Sequence, residues 1–125
     1  MPSLNLAWSL PFFQGAFHGL LAMALHEAGH LVAARAVGVK VKRVGFCWKG
    51  MYTVREAGPP AKNALISSAG PLTNLLLIIF WYWSPIFGLA NLCCAVCNLL
   101  PIRGSDGNRI LRCLREMHEG RLLAQ

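Results

Sequence analysis

Hydrophobic positions in this chain run together in long uninterrupted stretches. Apart from Glu27, no Lys, Arg, Asp or Glu occurs between Met1 and Ala34, and none occurs between Asn63 and Ile102. A bilayer core about 30 Å thick is crossed by roughly 20 apolar residues in a helix, so runs of this length predict membrane spans. The first span is expected over 11–37, where Gly15, Gly19 and Gly29 permit close helix approach, and it stops at Gly38. The second is expected over 61–83, with the small-residue patch Ser67-Ser68-Ala69-Gly70 directly before Pro71. The third follows the Ser84-Pro85 turn, over 85–102, and is interrupted by Pro101. Between the first two, 39–56 changes character, with β-branched and aromatic residues on both sides of Lys49-Gly50, which predicts a short β-hairpin. Asn108 to Leu123 reads as an amphipathic helix, Ile110, Leu111, Leu114 and Met117 on one side and Arg112, Arg115 and Glu119 on the other, suited to a membrane surface. The expected fold is an all-α membrane protein with three transmembrane helices, a hairpin between the first two and a C-terminal amphipathic helix, in one domain over 1–125.

Composition agrees. At 125 residues there is room for one domain, and 55% hydrophobic with 14% charged is too apolar for an ordinary soluble fold. The net charge of +7 sits in two places, Arg35 to Lys62 and the tail from Arg103 onward. A nucleic-acid binder carries its basic residues on a polar body, whereas these flank apolar spans, as the positive-inside rule expects of cytoplasmic segments. Nucleic acid is therefore excluded as a partner and membrane lipid is expected. Three spans put the basic hairpin and the basic tail on one side, cytoplasmic, and the charge-poor N-terminus outside, in a multi-pass protein of the cell membrane.

Two further patterns change little. The five cysteines are odd in number and three of them lie in an apolar stretch, which argues against a disulfide framework. Ala22-Met23-Ala24 has the small-x-small form of a signal-peptidase site, but no Lys or Arg precedes it, so the first span is read as retained.

Within the first span stands His26-Glu27-Ala28-Gly29-His30. Histidines four apart on a helix lie one turn from each other on the same face and can grip one metal ion. Glu27 rises on a neighbouring arc, from which it reaches a water on the ion instead of the ion, and zinc chemistry of this kind hydrolyses peptides. As two satisfied core histidines, the motif would leave Glu27 as a charge in a span, costing about 2.5 kcal/mol or more. A third protein ligand is needed if the fourth position is kept for water. His18, Glu56, Asp106, His118 and the other acids of the tail are the candidates. His18 lies two turns upstream, Glu56 belongs to the hairpin, and Asp106 follows the Pro101 break, where the chain can turn an acid inward.

Three marks now line up: His-Glu-x-x-His in the first span, Gly70-Pro71-Leu72-Thr73-Asn74 in the second, and Asn98-Leu99-Leu100-Pro101-Ile102-Arg103-Gly104-Ser105-Asp106-Gly107 after the third. In this order they resemble the site-2 protease family of intramembrane zinc metalloproteases, over nearly the whole chain. The resemblance implies one zinc ion held by His26, His30 and Asp106, with Glu27 as catalytic acid/base. It implies a three-helix core with a hairpin-like element between the first two helices. It also implies membrane-spanning substrates cut in or beside their transmembrane segment. Ser105 stands where the family commonly has an apolar residue before Asp-Gly. Asn98 belongs to the Asp-containing mark and is assigned to the substrate backbone or the oxyanion, with Asn74 a second residue of that kind. Gly70-Pro71 and Pro101 are expected to free backbone groups that line a wet cavity. A strand edge of the hairpin is expected to pair with unwound substrate. A chain this short leaves room for a second copy or an accessory membrane partner. The alternative is a non-catalytic membrane protein of the same fold that binds a partner helix or zinc.

Overall fold

The fold is given by a computed structural model, which describes residues 3–47 and 50–124. It is mostly helical. In chain order, α1 spans Ser3–Ala36, β1 Val41–Cys47, β2 Gly50–Arg55, α2 Pro60–Leu77, α3 Pro85–Leu99 and α4 Asp106–Leu123, with a single 3-10 segment, Ile78–Tyr82, continuing α2. The three helices α1, α2 and α3 pack on one another, and α4 folds back against α2.

Most boundaries follow local chemistry. Pro60 occupies the first turn of α2 and Pro85 that of α3, positions where a missing N–H costs nothing. Ser84 caps α3 by accepting from the Phe87 amide. Leu100 turns extended, as a residue before proline must, and ends α3. A polar turn then reverses the chain, and Ser105 caps α4 by accepting from the Asn108 amide at 3.2 Å.

Three expectations are corrected. First, α1 runs through Pro11 from Ser3, so the first helix begins well before the expected span: a proline removes one ladder bond without ending a helix. Pro71 is likewise held inside α2, where its missing N–H leaves the Ser67 carbonyl without a ladder partner. Second, only Gly29 of the three glycines in α1 meets a neighbour; a Cβ there would strike the Ala69 carbonyl oxygen and Thr73, whereas Gly15 and Gly19 face open space. Third, α4 does not present its predicted apolar face as a unit. Asp106 and Cys113 are buried and Ile110 and Met117 half-buried, while Leu111 and Leu114 are exposed. The stripe 106, 110, 113, 117 is the one that packs, so α4 is a docked helix.

The two strands form an antiparallel hairpin with Val44 opposite Thr53 and Phe46 opposite Met51, and a bulge between Val41 and Arg43. Its turn was expected at Lys49-Gly50; Gly50 begins β2, and Trp48 and Lys49 lie outside the described residues. β2 faces α1, and the Met51 amide meets the Met23 sulfur at 3.4 Å. Since the Glu56 amide bonds back to Lys40, the alternation of a strand turns the Thr53 and Arg55 main chain toward the Met51 side, away from β1.

Among the described residues one helical stretch, Pro60–Tyr82, is long and apolar enough to cross a bilayer, 23 residues with mean hydropathy 1.7. α3 is apolar but shorter. The distribution of burial is inverted: the buried set includes His26, His30, Ser67, Asn74, Asn91 and Asp106, while Phe12, Phe17, Val32, Leu76 and Ile79 stand exposed. A small apolar cluster, Ala34, Val39 and Ile66, ties the end of α1 to the hairpin and α2.

Candidate metal centre

Two helices bring three donor atoms to one point. His26 and His30 project from the same face of α1, and Asp106 enters from the first position of α4. His26 Nε2 lies 2.9 Å from Asp106 Oδ2, His30 Nε2 lies 3.1 Å from the same oxygen, and the two Nε2 atoms are 3.1 Å apart. All three side chains are buried. The remaining candidates stay away: His18 bonds the Gln14 carbonyl within α1, and His118 and Glu56 are exposed.

The far nitrogens decide what the near ones can do. His30 Nδ1 is 2.7 Å from the Ile66 carbonyl oxygen, which can only accept, so Nδ1 carries the proton. His26 Nδ1 is 2.6 Å from Asn74 Oδ1, and the Asn74 amide nitrogen donates to the Ala22 carbonyl and to Asn91 Oδ1, which fixes Oδ1 as the acceptor. With both protons on Nδ1, neutral rings aim two lone pairs at a carboxylate oxygen about 3 Å away. Such a triangle is repulsive unless a proton or a metal cation sits in it. A tetrahedral zinc with bonds of about 2.0–2.1 Å sets its donors about 3.3 Å apart, and the observed triangle is slightly tighter. The donor set therefore fits a zinc ion held by two imidazoles and a carboxylate.

Gly70 makes room for this. A Cβ at Gly70 would overlap the His30 ring and press on the His26 ring, so the small residue before Pro71 is required by the imidazoles on the facing helix.

Glu27 stands beside the centre, its carboxylate within 4.8 Å of the donor atoms of both histidines. Its Oε2 accepts from the Thr53 hydroxyl of β2 at 2.8 Å. A cleft of about 260 Å³ opens there, lined by His26, Glu27, His30, Thr53, Asn98 and Asp106 among others. Asn98 donates its amide hydrogens to the Cys94 carbonyl oxygen and sulfur of its own helix. Its Oδ1 makes none of the described hydrogen bonds, which suits it to accept an N–H and leaves it without a free donor for an oxyanion. Asn74 does not line the cleft. It is fully buried behind His26 and has no exposed polar atom for substrate. Thr53 and Asn91 escaped the sequence reading. An asparagine two turns from Asn98 in an uncharged run was a signal for the second; nothing local marks the first.

Arg55 and Arg109 also reach the cleft. Burial first and the Arg109 charge second lower the pKa of Arg55 from its ordinary value. The five cysteines are all free.

The chain is 29% identical over 116 residues to a zinc metalloprotease of Methanocaldococcus jannaschii, covering 82% of this chain and 34% of that protein. It is 28% identical over 127 residues to a Synechocystis protein named, by inference, a zinc metalloprotease, covering 86% and 34%. The fold is similar to the solved structure of the site-2 protease from Methanocaldococcus jannaschii, with a TM-score of 0.70 and 26% identity over 81% of this chain and 53% of that one. The chain thus spans about a third of the length of these two curated relatives. No protein-family model matches it.

Proposed function

Starting from a chain related in sequence and in fold to the site-2 protease family, we propose that it is a zinc-dependent endopeptidase acting within the membrane on peptide bonds in or near the transmembrane segments of other proteins. The observation that carries this reading is the triangle of His26, His30 and Asp106 with Glu27 beside it in an open cleft. A bound zinc ion would acidify water and polarise the scissile carbonyl.

The chain's own residues do the rest. His26 and His30 are aimed by Asn74 and the Ile66 carbonyl. Thr53 occupies Oε2 of Glu27, which leaves Oε1 to take the proton of the attacking water and pass it to the leaving amine as the C–N bond breaks. Asn98 Oδ1 accepts a substrate amide, which favours its backbone-holding role over the oxyanion. The outward edge of β2 pairs with the unwound substrate and presents it in extended form.

Three membrane-spanning helices, α1, α2 with its 3-10 extension, and α3, fit the inverted burial. At 15 residues α3 rises about 22 Å, short of a bilayer core of about 30 Å, so the chain turns back below the far surface and delivers Asp106 at membrane depth. The hairpin and α4 line one cavity, in keeping with a shared cytoplasmic side and an N-terminus outside. On this reading its substrates are single-span proteins, cut to free a cytoplasmic fragment or to clear a remnant segment. A homo-oligomer or an accessory membrane partner is compatible with it.

The test is Glu27→Gln in purified protein with a model transmembrane substrate. Zinc content is expected to hold while cleavage falls by about 10²–10⁴-fold; undiminished cleavage refutes the base. The second reading, a zinc-holding protein without activity, has against it the Thr53 hydrogen bond, which orients a carboxylate that metal affinity does not need.

A further inference from the structure

Beside the metal cleft lies a second, larger cavity of about 530 Å³ between β2, α2 and α4. Thr53, Arg55 and Arg109 line both, so a pair of guanidinium groups stands where the two adjoin. Arg55 leaves β2 half-buried and donates from Nη2 to the buried Ser67 hydroxyl at 3.2 Å. Arg109, in the first turn of α4, has Asp106 as its one carboxylate neighbour, with 3.9 Å between Nη1 and Oδ1. Arg112, Glu56, Glu116 and the Cys113 thiol complete the ionisable lining of the larger cavity. Among the described residues no ion pair joins either of these acids to Arg55 or Arg109. Two cations that repel each other are thus held side by side at the mouth of the metal cleft, and the carboxylate paired with one of them, Asp106, is shared with the two histidines.

We propose that Arg55 and Arg109 form a subsite for a carboxylate of the bound peptide, an Asp or Glu side chain next to the scissile segment or the chain's own C-terminal carboxylate. The inference rests on the protease reading, since it takes the cleft as the seat of a peptide. Continuity with that cleft favours a peptide anion over a lipid phosphate, because a chain lying along β2 passes both guanidinium groups. The exposed acids Glu56 and Glu116 oppose an anionic headgroup arriving from outside. Charge-assisted bonds to a guanidinium are directional and strong where water is partly excluded, so the subsite fixes the register of the peptide as well as its affinity.

The test uses the zinc-loaded Glu27→Gln protein in phosphatidylcholine nanodiscs, titrated with two fluorescent peptides that differ only in Glu against Gln beside the scissile segment, each also made with an amidated C-terminus. The acidic peptide is expected to bind about tenfold more tightly than its neutral twin. Arg55→Gln and Arg109→Gln should each remove most of that difference with zinc content unchanged, and Arg109→Lys should keep part of it. Equal binding of the twins with both weakened about tenfold by amidation assigns the carboxylate to the chain end; an advantage of Glu over Gln that survives amidation assigns it to the side chain. Equal binding of all four peptides overturns the proposal, and so does a preference that survives both substitutions or that needs anionic lipid. Arg109 is half-exposed and serves if Arg55→Gln fails to fold. Cleavage by the unsubstituted protein is read separately: its absence counts against the protease reading and leaves the binding comparison standing.

Discussion

The direction of the His26 imidazole is set by a residue that touches no substrate. Asn74 accepts the Nδ1 proton, and Asn91 and the Ala22 carbonyl in turn hold the Asn74 amide, so α3 and α2 together aim a donor on α1. Asn74→Ala removes the acceptor behind one ligand while leaving all three ligands and Glu27 in place. Zinc affinity is expected to fall by about 10–100-fold, with cleavage recovering at saturating zinc; a competition titration against a chelator measures it, and unchanged affinity removes Asn74 from the metal site. The histidine pair with its glutamate was legible because the spacing that joins them is set by one helix. Thr53 was not, because its meeting with Glu27 depends on how the hairpin docks, and no periodicity in the chain encodes that. Gly70 illustrates the middle case: a small residue before proline suggested an opened backbone, yet its smallness serves the two imidazoles opposite.

Among the elements, β2 is the one that the proposed function asks to join substrate handling to chemistry. It carries Thr53 to the Glu27 carboxylate, and its outward main chain runs along the cleft. The two roles separate by substitution. Thr53→Val removes the hydroxyl and keeps the amide, so it should lower kcat with KM nearly unchanged. Met51→Pro removes an outward amide and leaves the Thr53 hydroxyl, so it should lower kcat/KM for a transmembrane substrate by about tenfold through weaker pairing. Both are read beside zinc content, and cleavage undiminished in Met51→Pro removes the pairing role. The hairpin was visible as a change of composition, and the starts of α2 and α3 were placed within a residue because proline and serine mark them. The errors fall where one symbol has two meanings. Pro11, read as the start of the first span, lies inside α1, and apolar residues on α4 read as a membrane face divide between a packed stripe and an exposed one.

For the whole molecule the governing fact is that polar groups are inside and apolar ones outside. The largest fully buried side chains include Asn74, Asn91 and Ser67, and the outward surface of α1 and α2 is built from Phe, Leu, Val and Ile. In water this arrangement would leave the hydrophobic effect without an object. In lipid the exposed apolar surface is solvated, and the interior is free to hold hydrogen-bonded groups and an ion. One consequence can be measured without any substrate. The hairpin and α4 lie at the Pro60 end of α2, so Phe80, Trp81, Tyr82 and Trp83 mark the opposite end, where Tyr82 is 88% and Trp83 73% exposed. Amphipathic rings at a helix end settle at the headgroup boundary. With Trp8 and Trp48 replaced by phenylalanine, emission from Trp81 and Trp83 should be quenched most by lipids brominated near the headgroup and least by bromine at the chain end. Strong quenching by aqueous iodide with none from bromolipids would put this end of α2 in water. A metal centre enclosed by membrane-spanning helices would then lose its premise, whatever activity the cleft retained.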